Sequence, residues 1–316
     1  MKWYQRVEVE KAGFAISHAD QICSIGSCFS ENVGDLLQKS GFEVAMNPNG
    51  ILFNPSSLAF AMSELNKSNE SGIGEIEDLW VSLNHHGSFS KGTKDELLLC
   101  IAQKKASFLK ALVQAKILIV TFGTAQVWRH LSIDQIAANC HKLPTQEFRS
   151  EMLNVDSIVK EWNAVLHEMS QLNPALKVVF TVSPVRYKRG GAQLNTLSKS
   201  ILHLAVKELC DSNDHANYFP AYEICLDELR DYRFFTADFA HPTSLAIDHI
   251  YERFAEAYMS EETKAISAKI AHLNKRLEHN YPTHQELEIE RIKVAAKLKN
   301  LLSSVSHRHG KKKPTP

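Results

Sequence analysis

The chain of 316 residues is 44% hydrophobic and 23% charged, and its 36 basic residues balance 36 acidic ones. A formal net charge of zero leaves no basic field for nucleic acid or an anionic membrane surface. No apolar run is long enough to span a bilayer, and the charged opening from Met1 to Lys11 lacks the apolar core of a secretion signal. Six cysteines (Cys23, Cys28, Cys100, Cys140, Cys210, Cys225) are scattered without a C-x-x-C pair or zinc spacing, as free thiols of a reducing compartment would be. The expectation is a cytoplasmic protein with no metal, no cofactor and no nucleic-acid partner. No Walker A, HExxH or dinucleotide fingerprint occurs.

Taken in order, residues 6 to 10 alternate in polarity and suggest an edge strand. The stretch from Ile22 to Gly26 reads as a buried strand, with a tight turn at Gly26-Ser27. A helix follows, in which Val33, Leu36 and Leu37 share a face. Phe42 to Met46 is a second strand, ended by the turn Asn47-Pro48-Asn49-Gly50. A helix from Asn54-Pro55 to about Leu65 is expected, capped by Ser56 or Ser57. Asp78 to Ser90 reads as a strand and loop beside the main sheet. A helix from about Leu97 to Gln114 then leads into the apolar strand Ile117 to Gly123.

A long connection carries Asn139-Cys140-His141-Lys142. A helix with Ile158, Val159, Trp162, Val165, Leu166 and Met169 on one face follows, capped by Asp156 or Ser157. Lys177 to Pro184 is the next buried strand. After Gly190-Gly191 comes a helix marked by Leu194, Leu197, Ile201 and Leu204, then a last strand from Asn217 to Tyr222. Strands alternating with helices imply a mostly parallel sheet covered on both faces, a three-layer α/β/α domain over residues 1–260. Ile247, Ile250, Tyr251, Phe254 and Tyr258 mark a helix after Thr243-Ser244. More helix over 261–305, broken near Tyr281-Pro282, reads as an arm packed on the domain or on a second copy of the chain. Residues 306–316 read as a basic, disordered tail.

Two stretches carry chemistry. Ser27 falls at the carboxyl end of the first strand and beside a helix N-terminus, where backbone N–H groups favour negative charge. Asp238 and His241 are three apart, so one loop can join carboxylate and imidazole, and Pro242 keeps His241 out of helix. A serine nucleophile needs such a base, and the base an orienting acid. The order Ser, Asp, His, with no Gly-x-Ser-x-Gly, departs from the common α/β-hydrolase layout. Cys28 is an alternative nucleophile, because thiolates are favoured at helix N-termini. His85-His86 has no third ligand at metal spacing, whereas His141 beside Asn139 is a candidate site residue.

Serine after the first strand and Asp-x-x-His near the end match the SGNH (GDSL-like) hydrolases. More closely, Gly26-Ser27-Cys28-Phe29-Ser30 resembles the motif that names the GSCFA family, with Ser30 in place of alanine. The resemblance extends to Asn47-Pro48-Asn49-Gly50, Asn139-Cys140-His141-Lys142 and Asp238-Phe239-Ala240-His241-Pro242. It implies an SGNH-like, flavodoxin-type fold with a C-terminal helical arm, and hydrolase-like chemistry. By position it makes Ser27 the nucleophile, His241 the base and Asp238 its orienting group, with backbone N–H groups of Ser27 and Gly50 as oxyanion donors. SGNH enzymes carry Gly-x-Asn-Asp after the third strand, whereas this chain has Gly123-Thr124-Ala125-Gln126. That leaves Gln126 or Asn139 as side-chain donors, with Thr124 a weaker one. The expected activity is hydrolysis of a small acyl ester, a carbohydrate O-acetyl group among the possibilities. An acyltransferase with the same triad and a non-catalytic binding module are the alternatives.

Overall fold

The computed structural model describes residues 5–278 and 285–307. β1 (Gln21–Gly26), α1 (Cys28–Lys39), β2 (Val44–Met46) and α2 (Pro55–Ser63) come first. The antiparallel hairpin β3 (Ile73–Ile76) and β4 (Leu79–Ser82) follows, then α3 (Lys94–Val113) and β5 (Ala115–Phe122). β6 (Gln126–His130), β7 (Gln135–Ala137) and β8 (Phe148–Met152) form a separate antiparallel sheet. α4 (Val155–Leu172), β9 (Lys177–Val182), α5 (Gly191–Asp211), β10 (Ala216–Tyr218) and the helical turn α6 (Ala221–Glu223) return to the main sheet. α7 (Ser244–Tyr258), α8 (Glu261–Glu278) and α9 (Gln285–His307) complete the described chain.

The main sheet has the order β10-β9-β5-β1-β2, and every pairing in it is parallel. Strand order reverses between β1 and β5, so the crevice at their carboxyl ends is where such a sheet receives ligands. Alternate residues of the strands serve two apolar layers. Cys23, Ile25, Leu118, Val120 and Phe180 pack on Phe108, Trp162 and Leu202 of α3, α4 and α5. Ile22, Ile117, Ile119 and Val179 pack on Phe29 and Leu37 of α1 and on Ile250 and Phe254 of α7. The strands therefore read as unbroken apolar runs, the mark of a sheet buried on both faces. This is the three-layer flavodoxin-like arrangement that the alternation of elements predicts.

Several expected details differ. Residues 6–10 form no strand. Instead the Val7 N–H donates to Glu228 Oε2 at 2.9 Å and the Val7 carbonyl accepts from Arg253, so the segment is pinned by side chains. Asn54 caps α2 and Asn154 caps α4, each side chain accepting a backbone N–H at 2.8 Å. The expected serine and aspartate caps lie inside the first turn. Tyr222 lies in the turn α6 instead of a strand, because Pro220 intervenes. On α5, Leu197 and Leu204 are 53% and 61% exposed, and the buried face runs through Asn195, Ser198, Lys199 and Leu202. The first turns of α5 serve polar loop ends at the sheet edge, which an apolar period does not register. α8 packs on the end of α1, where Asn274 Nδ2 donates to the Lys39 carbonyl at 2.7 Å. The expected break at Tyr281-Pro282 and the tail beyond His307 lie outside the described residues.

Candidate active site

Ser27 occupies the N-cap of α1, directly after β1, with extended backbone and only 1% exposure. A serine here ordinarily accepts a first-turn N–H through its hydroxyl. This one makes no such bond, and its Oγ has no hydrogen-bond partner at all. Only its carbonyl serves the helix, accepting from Ser30 N–H at 2.8 Å. The hydroxyl is thus held at a helix N-terminus, on the edge where the strand order reverses, and is left uncommitted. Ser30, where the family motif has alanine, is engaged elsewhere: its Oγ bonds Ser24 Oγ at 2.8 Å beneath the turn.

The turn is built by its neighbours. Gly26 has φ +144°, and a Cβ there would lie 2.5 Å from the Thr121 carbonyl oxygen on β5. Glycine is therefore required both by backbone angle and by the approach of β5. The Gly26 N–H donates to Asn47 Oδ1 at 2.9 Å, and its carbonyl accepts from Leu52 N–H at 3.0 Å. Asn47 itself sits at φ +45°, a conformation asparagine tolerates better than most residues. The Asn-Pro-Asn-Gly turn is thus a clasp on the end of β1. Asn49 extends the clasp by donating to the Asn84 carbonyl at 3.1 Å.

Asp238 and His241 lie in a tight loop between Phe235 and Pro242, which pair across its base. Asp238 Oδ2 accepts from His241 Nδ1 at 2.6 Å. Its other oxygen accepts from Thr236 Oγ1 at 2.6 Å, Ala240 N–H at 2.8 Å and His241 N–H at 3.0 Å. The Thr236 hydroxyl first, then these N–H groups and the imidazole, hold the carboxyl far below the usual carboxylate range. An ionised Asp238 fixes the His241 tautomer with Nδ1–H toward itself and leaves Nε2 free to act as a base. The loop is tied to the segment after β9 by Arg186 N–H, which donates to the Ala240 carbonyl at 3.0 Å. Asp238 and His241 side chains are about half exposed, at 47% and 51%, and no hydrogen bond joins His241 to Ser27.

The oxyanion candidates separate by what they already hold. The Gly50 N–H donates to the Asn47 carbonyl at 2.8 Å, closing its own turn, so it serves an oxyanion only if that turn opens. Gln126 Nε2 donates to Ser150 Oγ at 2.7 Å on the neighbouring strand. Thr124 Oγ1 bonds Ser198 Oγ at 3.0 Å and accepts from Gln126 N–H at 3.1 Å. Asn139 uses its oxygen to accept from His141 N–H at 2.8 Å, and its amide nitrogen lies against Gly87. Gly87 follows His86, whose side chain packs on Gly50, so Asn139 borders the clasp that shapes the turn.

Cys28 is partly buried, and burial raises its thiol above the usual range. The N–H groups of Phe29 and Cys28 and the charge of Lys199 oppose that rise. His141 Nε2 donates to the Ser82 carbonyl at 2.7 Å and His85 Nδ1 bonds Ser82 Oγ at 2.8 Å, so both rings brace the loop after β4. Burial pushes His85 down to about 3, with Lys105 and His141 adding repulsion, which keeps the ring neutral. Among the described residues, no three His, Cys, Asp or Glu side chains gather at metal-binding distance. No helix among them is long and apolar enough to cross a membrane. Thr236 and Ser198 are site-shaping residues that the sequence reading passed over, and Asn47 is one that it named only as part of a turn. Asn47 alone left a signal, as the first residue of the Asn-Pro-Asn-Gly turn.

A sequence model of the GSCFA family matches residues 21–254, and the chain belongs to that family. No curated protein matches the sequence. A lipase, Lip_vut3 from a goat rumen metagenome, is 10% identical with TM-score 0.38, covering 76% of this chain and 98% of its own. A carbohydrate esterase family 3 protein from Talaromyces cellulolyticus is 9% identical with TM-score 0.37, covering 78% and 98%. A carbohydrate esterase family 2 enzyme with a carbohydrate binding domain, from Corynascus thermopiles, is 13% identical with TM-score 0.36, covering 81% and 68%.

Proposed function

We propose that this member of the GSCFA family is a serine acyl hydrolase acting on a small acyl ester, with carbohydrate O-acetyl groups as the substrate class. One observation carries the reading: a buried N-cap serine that caps nothing, with an unbonded hydroxyl, at the switch point of a parallel sheet. The Asp238–His241 pair supports it as a base with its tautomer fixed. In the reaction, Ser27 Oγ attacks the acyl carbon while His241 Nε2 takes the hydroxyl proton. The negative charge formed on the carbonyl oxygen is met at the N-terminus of α1, with the Asn139 amide as the side-chain donor. Collapse expels the alcohol, which leaves with the proton from His241. Water, deprotonated by the same imidazole, then releases the acid and restores Ser27.

Labelling with a small fluorophosphonate, followed by peptide mass analysis, tests this reading. The adduct is expected on Ser27, and it should disappear in Ser27→Ala and persist in Cys28→Ser. An adduct on Cys28 instead would transfer the nucleophile's role to the thiol. A second reading, a pocket that binds acyl esters without cleaving them, is favoured by the missing hydrogen bond between Ser27 and His241. Complete absence of labelling in the folded wild-type protein would select it.

A further inference from the structure

Lys199 lies on the buried side of α5 and is 2% exposed. Its Nζ donates to the Gly123 carbonyl at 2.6 Å and to the Ser183 carbonyl at 2.6 Å. Gly123 directly follows β5 and Ser183 directly follows β9, neighbouring strands at the edge that carries Ser27. The preceding residue, Ser198, accepts the Ala125 N–H at 2.7 Å. Two consecutive side chains of α5 thus fix the 123–125 loop, which departs from the SGNH pattern. Asn195, one turn earlier, accepts the Tyr187 N–H at 2.9 Å and fixes the loop after β9.

A neutral amide could make two such bonds, so the ammonium needs its own explanation. Burying a charge is costly unless an opposite charge or strong hydrogen bonds compensate. No carboxylate pairs with Lys199 among the described residues. Its surroundings are the Tyr222 ring of α6, with centroid 5.8 Å away, the Arg186 guanidinium after β9, His203 one turn on in α5, and Cys28 of α1. Glu31, also on α1, acts on Cys28 from the other side. Of the groups that act on Lys199 itself, Cys28 is the one that favours its charge, and it stands next to Ser27.

We propose that Lys199 is a positioning residue of the Ser27 edge: its buried ammonium straps β5 to β9 and holds a positive potential at the N-terminus of α1, where acyl transfer would place negative charge. In a dry interior that potential adds to the partial positive charge of the helix end. Burial also brings the amine down to about 7, so the potential fades as pH rises through neutrality. The catalytic half of this proposal rests on the hydrolase reading, whereas the electrostatic half does not.

Cys28 is the reporter. Its alkylation by iodoacetamide, read across pH by the mass of its peptide, senses the potential without any ester. In the wild-type protein the profile should show a second inflection near pH 7, as Lys199 loses its proton. Lys199→Gln keeps hydrogen-bond donors and drops the charge. It should remove that inflection and slow alkylation below pH 7 by about tenfold, while the thiol midpoint, which lies above the range in which Lys199 is charged, stays in place. With an activated acetyl ester, kcat should fall about tenfold with KM nearly unchanged, because the charge is made only in the transition state. A single-inflection wild-type profile overturns the proposal even if the variant fails to fold. So does an unchanged alkylation rate below pH 7 in a Lys199→Gln protein that melts like the wild type. If Cys28 responds as expected while wild-type Ser27 forms no acyl adduct, the hydrolase reading fails and the potential stands.

Discussion

At the scale of single residues, the site is decided by which polar atoms are already spent. Gln126 and Asn139 look alike in sequence as amide donors, yet Gln126 turns its amide nitrogen toward Ser150 on β8 and Asn139 keeps its own beside the Gly50 clasp. Asn139→Ala should therefore lower kcat on an activated ester by about 10²-fold or more, the usual cost of losing an oxyanion donor. Gln126→Ala should change kcat by less than about threefold and act mainly on stability, through Ser150. Steady-state kinetics on both variants checks the ordering, and the reverse ordering would move the hole to the start of β6. Ser27, Asp238 and His241 stood out as residue types because the proposed acyl chemistry needs those side chains. The commitment of Gln126 did not, because a hydrogen bond to a strand 24 residues away leaves no trace in local spacing.

Single elements were legible where apolar periodicity reports packing. β1, β5 and β9 stand out because both faces are buried. α4 shows its inner face through Ile158, Trp162 and Leu166, all at 0% exposure. The buried face of α5 was hidden because its first turns bury Asn195, Ser198 and Lys199 against loop ends. The sheet of β6, β7 and β8 was hidden too, since partly buried strands such as Gln126–His130 carry mixed residues that read as connection. Helix starts were placed two or three residues late, because several capping residues compete, as in Asn154-Val155-Asp156-Ser157. Asn154→Ala should cost about 1 kcal/mol in urea unfolding with an unchanged m-value, whereas Asp156→Ala should cost only a few tenths. Equal costs would mean that the first-turn charge, not the Asn154 side chain, starts α4.

For the whole molecule, two measurements follow from groups spread through the layers. All six cysteines are free, so reductant should leave the thermal midpoint unchanged. A fall of several degrees would indicate a disulfide, typically about 2–4 kcal/mol of stability. The second is pH. Lys199 sits near 7 when folded against its ordinary 10.5, so between those values the unfolded chain holds a proton that the folded one lacks. Stability should rise with pH across that window, and the penalty is fully present below it. Lys199→Met should flatten this slope in unfolding titrations; an equally steep slope would assign it to other groups.

Ser27 is 1% exposed and unbonded, and that makes the hydroxyl available chemically before it is available sterically. A reagent reaches it only when the surrounding loops part, so entry and reaction become separate steps. At rising concentrations of a bulky fluorophosphonate, the labelling rate should level off at the frequency of that parting. Probes differing only in leaving group should then share one ceiling. A hydroxyl held this way would sort reagents by entry first and by reactivity second.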